Sequence, residues 1–113
     1  MNKKDFLVTS GNMRRRSHNP ETDIQNSIRD LLRADGWFVI RHQQGMGAHK
    51  GLSDLTALKN GETIYIEIKT PTGRLSDWQE KFKHDVELHG GKYIVCRKIE
   101  DIKPYLTTVR SLF

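Results

Sequence analysis

The chain has 113 residues, of which 35% are hydrophobic and 29% charged. That length suits one domain with a single modest core, and no stretch approaches the roughly 20 apolar residues of a membrane-spanning helix. The formal net charge is +5, no apolar signal-peptide block stands near Met1, and the single Cys96 excludes an internal disulfide framework or a multi-cysteine zinc site, so a soluble cytoplasmic chain is expected.

The charge is unevenly placed. Residues 1–19 hold Lys3, Lys4, Arg14, Arg15 and Arg16 against Asp5, a net +4, which leaves +1 for the rest. We read 1–19 as a flexible basic arm and 20–113 as the folded domain. A basic arm suits a polyanion, most simply nucleic acid; a solubilising or vector-derived tail gives the same charge.

Asn19-Pro20 predicts a helix start, with Asn as N-cap and Pro at the first helical position. Ile24, Ile28, Leu31 and Leu32 then form an apolar stripe, and Gly36 is placed to end the helix. Residues 37–40 (WFVI) suit a short strand. Residues 41–52 form a polar loop with Gly45, Gly47 and Gly51. It lacks the Gly-Lys-Ser/Thr ending of a phosphate-binding loop. Arg41, His49 and Lys50 are its candidates for contacts to backbone phosphates, and a solvated loop is the bland alternative.

Residues 53–58 and 63–69 flank Asn60-Gly61, the strongest short signal for a hairpin. The second strand alternates Ile64, Ile66 and Ile68 with Thr63, Tyr65, Glu67 and Lys69. Pro71 and Gly73 break the chain. Ser76-Asp77-Trp78-Gln79 has the capping-box pattern, and Trp78, Phe82 and Val86 are spaced to face the core. Gly90-Gly91 stops this helix, residues 92–96 (KYIVC) read as a fourth strand, and Glu100-Asp101-Ile102 opens a short last helix re-aimed at Pro104. The order αβββαβ gives an α/β fold with a central sheet flanked by helices. Trp37 and Cys96 read as core. The five histidines have no paired metal-ligand spacing, so zinc is not expected.

The hairpin register follows from its turn. A two-residue Asn60-Gly61 loop pairs Lys59 with Glu62 and, carried along both strands, sets Asp54 opposite Glu67. Directly opposed residues have Cβ atoms roughly 4.5–5.5 Å apart. Lys69 projects from the same face, about 7 Å along the strand. Two opposed carboxylates repel each other unless one protonates, both are solvated, or a cation sits between them. Two hard oxygen ligands in a partly open site suit Mg²⁺, and a nearby lysine can orient a water or neutralise charge on a reacting phosphate. Asp54, Glu67 and Lys69 therefore form a coherent phosphodiesterase site; a charged, solvated strand face is the alternative.

Gly51-Leu52-Ser53-Asp54, then Ile66-Glu67-Ile68-Lys69-Thr70, then Gly73-Arg74-Leu75-Ser76 with Gln79, closely resemble the VRR-NUC nucleases of the PD-(D/E)xK superfamily. The resemblance runs in order from about Glu21 to Ile102. Ser53 stands where the superfamily motif has Pro, and the metal-binding Asp that follows is kept. The resemblance implies a restriction-endonuclease-like core with a mixed sheet, and Mg²⁺-dependent DNA cleavage, with Mn²⁺ as a substitute and no small-molecule cofactor. By the same resemblance Asp54, Glu67 and the Ile68 carbonyl bind metal, and Lys69 positions or activates the attacking water. Glu21 completes the acidic cluster through a water on the ion, and Gln79 holds the site or the DNA. Both also have local roles, Glu21 in a helix's first turn and Gln79 in a capping box. A homodimer that cleaves junctions or branched DNA is implied as well, and a domain of this size is in keeping with a phage or bacterial source. A non-cleaving DNA-binding module on the same fold is the alternative, and a protein-interaction domain the third class.

Overall fold

The computed structural model describes residues 19–107. The basic arm, with Arg14, Arg15 and Arg16, lies outside the described residues apart from Asn19.

Helix α1 spans Pro20–Ala34. The Asn19 side chain accepts from the N–H groups of Glu21 and Thr22, at 3.0 and 3.3 Å. Glu21 and Asp23 stand in the first turn, where the helix dipole favours acids. The helix closes in a Schellman motif: Gly36 N–H donates to the Arg33 carbonyl and Trp37 N–H to the Leu32 carbonyl. That closure drops the chain directly into strand β1, Phe38–Arg41.

Strands β2 (Leu55–Lys59) and β3 (Glu62–Ile68) form the hairpin. Asn60 (φ +51°) and Gly61 (φ +80°) both take left-handed backbone, as a type I′ turn requires. Lys59 pairs with Glu62 and Leu55 with Ile66, which is the register expected from the turn. Helix α2 (Asp77–Leu88) then crosses over to β4 (Lys92–Cys96), and a 3₁₀ segment covers Ile99–Tyr105. The sheet order is β1-β2-β3-β4; the first three strands are antiparallel and β4 runs parallel to β3, so the sheet is mixed.

The two faces of this sheet differ. Val39, Leu55, Ala57, Ile64, Ile66, Ile68 and Cys96 point to one side and pack on Ile28 and Leu32 of α1 and on Ile102 and Leu106. That is the core, and Trp37 is buried with it. The other face carries Tyr65, Glu67 and Tyr93, beneath α2. Here the expectation from helical spacing is corrected. Alpha-helix α2 has no buried residue, and Trp78 is 51% exposed. Phe82 lies edge-on to Tyr65 and Tyr93 with ring centroids 5.4 and 6.1 Å apart. The apolar stripe of α2 thus meets an aromatic and polar sheet face, not the aliphatic core.

The connection from β3 to α2 is stapled from the end of the neighbouring strand β4. Arg97 Nη1 donates to the carbonyls of Thr70 (2.7 Å) and Gly73 (2.6 Å). A second knot ties the ends of the fold: Asp35 Oδ2 accepts from Lys59 Nζ (3.1 Å), Trp37 Nε1 (3.1 Å) and Thr107 N–H (2.8 Å). Among the described residues, no helix is long and apolar enough to cross a membrane.

Candidate active site

The site forms where β3 ends. Lys69 N–H donates to the Cys96 carbonyl at 3.0 Å, so the parallel ladder continues one residue past Ile68 and fixes the backbone on which Glu67 and Lys69 stand. Asp54 lies just before β2. Its Oδ2 accepts the Ile68 N–H at 2.8 Å. The carboxylate thus takes the place of a backbone partner and is clamped to the strand that carries Glu67. A backbone bond from His42 N–H to the Asp54 carbonyl (2.9 Å) holds it from the other side.

Glu67 is 4% exposed. Its Oε2 accepts from Gln79 Nε2 at 3.0 Å and lies 3.9 Å from Lys69 Nζ. Its Oε1 is buried with no hydrogen-bond partner. Burial, then the Asp54 carboxylate, push the Glu67 carboxyl up to about 8, against the pull of Lys69. A buried carboxylate oxygen with no donor, beside a second carboxylate, is costly unless a proton or a cation is present. A carboxyl perturbed in this way, beside a second acid and a lysine, marks functional sites.

Gln79 arrives by its helix cap. Ser76 Oγ accepts from Gln79 N–H (3.2 Å) and Gln79 Oε1 accepts from Ser76 N–H (2.8 Å), which leaves the Nε2 amide facing Glu67. Glu21 is exposed on the first turn of α1 and acts on Glu67 as one more negative charge. Among the described residues, no three His, Cys, Asp or Glu side chains gather closely enough to hold a metal ion. The convergent group is therefore Asp54, Glu67, Lys69 and Gln79, with the Ile68 backbone between the two acids.

The loop candidates divide. Arg41 lines an open cleft of ≈ 690 Å³ with Gln25, His42, Gln44 and Asp54. His49 and Lys50 stand elsewhere, beside Trp78 and Phe82. Two neighbours of the site were not singled out from sequence. His42 bonds Thr56 Oγ1 at 2.6 Å, and burial lowers its pKa against the Asp54 charge. The β1–β2 register, Arg41 against Leu55, sets His42 beside Asp54; the long loop between these strands holds no tight turn from which that register could be read. Tyr93 has a buried hydroxyl with no partner, its pKa raised by burial and then by Glu67 and Asp54.

A model of the VRR-NUC domain matches residues 12–98. A solved structure described as a VRR_NUC domain superposes with a TM-score of 0.63 at 16% identity, covering 84% of this chain and 95% of that one. No curated protein matches the chain. The structural likeness carries the fold, and the family match spans most of the sequence: the chain belongs to the VRR-NUC domain family, a family of nuclease-type domains.

Proposed function

We propose that this chain is a metal-dependent DNA endonuclease that hydrolyses phosphodiester bonds. The observation that carries this reading is the convergence of Asp54 and Glu67, with Glu67 Oε1 unpartnered and the Lys69 ammonium beside it. The donor set fits a hard divalent cation. Both acids offer carboxylate oxygens, Asp54 has one oxygen outside its bond to Ile68, and Mg²⁺ commonly takes one or two carboxylates and fills its shell with water and substrate phosphate.

Asp54, Glu67 and the Ile68 carbonyl would hold Mg²⁺, with Mn²⁺ as its substitute, and Glu21 adds negative charge nearby. Bound there, the ion supplies positive charge to the scissile phosphate and acidity to a water. Lys69 orients that water and balances charge building on the phosphate oxygens. The water oxygen bonds to phosphorus and the bond to the 3′ oxygen breaks, leaving a 5′-phosphate and a 3′-hydroxyl. Gln79 keeps Glu67 Oε2 occupied and so leaves Oε1 for the ion. Arg41 lines the cleft on the Asp54 side and is placed for a backbone phosphate.

The assembly in this reading is a homodimer acting on branched DNA in a bacterial or phage-infected cell. Phe38, Ile40 and Leu58 share one sheet face and are exposed, which offers a second copy apolar surface to bury. A panel of labelled junctions, flaps, nicked and plain duplexes, with and without Mg²⁺ or Mn²⁺, tests the reading. Metal-dependent cleavage lost in Asp54→Ala and Lys69→Ala is expected. Cleavage kept in both variants ends the reading, and binding without turnover leaves the non-cleaving module.

A further inference from the structure

Trp78 is half-exposed at the start of α2, one residue before Gln79, which touches Glu67. A large aromatic side chain is normally covered on most of its surface. Beside it opens a pocket of ≈ 300 Å³, walled by Trp78, Phe82 and His49, with Lys50, Lys81 and Asp85 around it. We propose that this pocket receives an unpaired nucleobase of the substrate strand, stacked on Trp78, with Lys50 and Lys81 on the flanking phosphates. The identity of the polymer rests on the nuclease reading above.

The walls are fixed. Gly51 has φ +78°, and a Cβ there would lie 2.0 Å from the Trp78 carbonyl oxygen. Loop and helix therefore interlock through bare backbone, which holds the Trp78 ring outside the core. His49 packs edge-on to Phe82 with centroids 5.5 Å apart, and Phe82 rests on Tyr65 and Tyr93. The pocket floor is thus built on the same sheet face that carries Glu67.

The chemistry selects the ligand. Lys50 Nζ sits 4.5 Å from the Trp78 ring centroid, so the ring is paired with a cation. Lys81 is held by Asp85 at 2.8 Å, an exposed pair that costs little to open. Aromatic faces flanked by lysines are how proteins bind single-stranded nucleic acid: bases stack and the backbone meets the charges. A base inside a duplex cannot offer its face to a side chain, so the pocket needs a nucleotide freed from its stack. Flaps, splayed arms and junction arms supply such nucleotides, and plain duplex does not.

The test uses the full chain in EDTA at low salt, where no cleavage occurs, with a fluorescein-labelled oligothymidylate and a labelled blunt duplex. Trp37 is the other tryptophan and is buried at 4% exposure, so emission changes on stacking report Trp78. Saturable quenching by oligothymidylate is expected, absent in Trp78→Phe. Trp78→Ala should weaken oligothymidylate binding by roughly tenfold or more, duplex binding should weaken less, and Trp78→Phe should recover part of the loss. Equal affinity of wild type and Trp78→Ala for oligothymidylate, or equal losses on both probes, overturns the proposal. The two readings fail separately: quenching without metal-dependent cleavage sinks the endonuclease alone, and cleavage with an unaffected Trp78→Ala sinks the pocket alone.

Discussion

Gln79 joins the cap of α2 to Glu67. Its Oε1 accepts the Ser76 N–H at 2.8 Å while its Nε2 donates to Glu67 Oε2 at 3.0 Å. One amide therefore bridges the helix cap and the buried acid. Gln79→Glu keeps an acceptor for Ser76 but sets a carboxylate against Glu67. We expect a folded variant whose metal affinity or cleavage falls by about 10–100-fold. Gln79→Ala should lose the same activity and also about 1 kcal/mol of stability. Denaturant melts and cleavage rates separate the two, and full activity in Gln79→Glu contradicts the assigned role.

Stability should depend on pH through Glu67. Its folded pKa, about 8, lies above the ordinary 4.5. The folded protein therefore keeps a proton that the unfolded chain releases. The stabilising contribution is complete below about pH 4.5 and is lost as pH rises through about 8, with a size on the order of a few kcal/mol. His42, whose pKa is lowered, works in the opposite sense: its contribution is lost as pH falls. Thermal melts of wild type and Glu67→Gln in EDTA isolate the Glu67 part, with the variant showing the flatter alkaline limb. A divalent cation needs the ionised carboxylate, so Mg²⁺ should raise the melting temperature more at pH about 8.5 than at about 5. Parallel pH profiles for the two proteins contradict this account.

Arg97 should matter to activity without touching the site. Its Nη1 holds the carbonyls of Thr70 and Gly73, which follow Lys69 and lead to the α2 cap. Arg97→Lys keeps the charge but loses the planar fork. A loss of about 1.5–3 kcal/mol is expected, together with reduced cleavage as the backbone after Lys69 loosens. Unchanged urea midpoints would show the staple to be unimportant.

Gly51→Ala should disrupt the seam between loop and helix. The new methyl would collide with the Trp78 carbonyl, at a positive φ that side chains avoid. A stability loss of at least about 1–3 kcal/mol is expected, with a shift in Trp78 emission as α2 moves. A wild-type melting curve and emission spectrum would refute the close approach.

Much of this was legible because local chemistry set it. Asn60-Gly61 dictated the turn, the turn dictated the register, and the alternation of Ile64, Ile66 and Ile68 dictated the buried face. The approach of Asp54 to Glu67 followed. The predicted 53–58 strand begins only at Leu55, because the Asp54 side chain takes the Ile68 N–H that the Ser53 carbonyl would accept in a continued ladder. Helical spacing gave the stripe of Trp78, Phe82 and Val86 but not the layer it meets; the core side was already filled by α1 and the 3₁₀ segment. Arg97 carries no local signal for its bonds, since its partners lie 24 and 27 residues away. Arg41, His49 and Lys50 read as one loop cluster, yet the close seam at Gly51 turns His49 and Lys50 toward Trp78 and away from the Asp54 cleft.

The central claim is that Asp54 and Glu67 together hold a divalent cation beside Lys69. Mn²⁺ titration of the full chain, followed by the loss of free-ion paramagnetic resonance signal, reads this without relying on any substrate. The account predicts saturable binding that strengthens as pH rises and is abolished in both Asp54→Asn and Glu67→Gln. Undiminished Mn²⁺ binding in those two folded variants would contradict it.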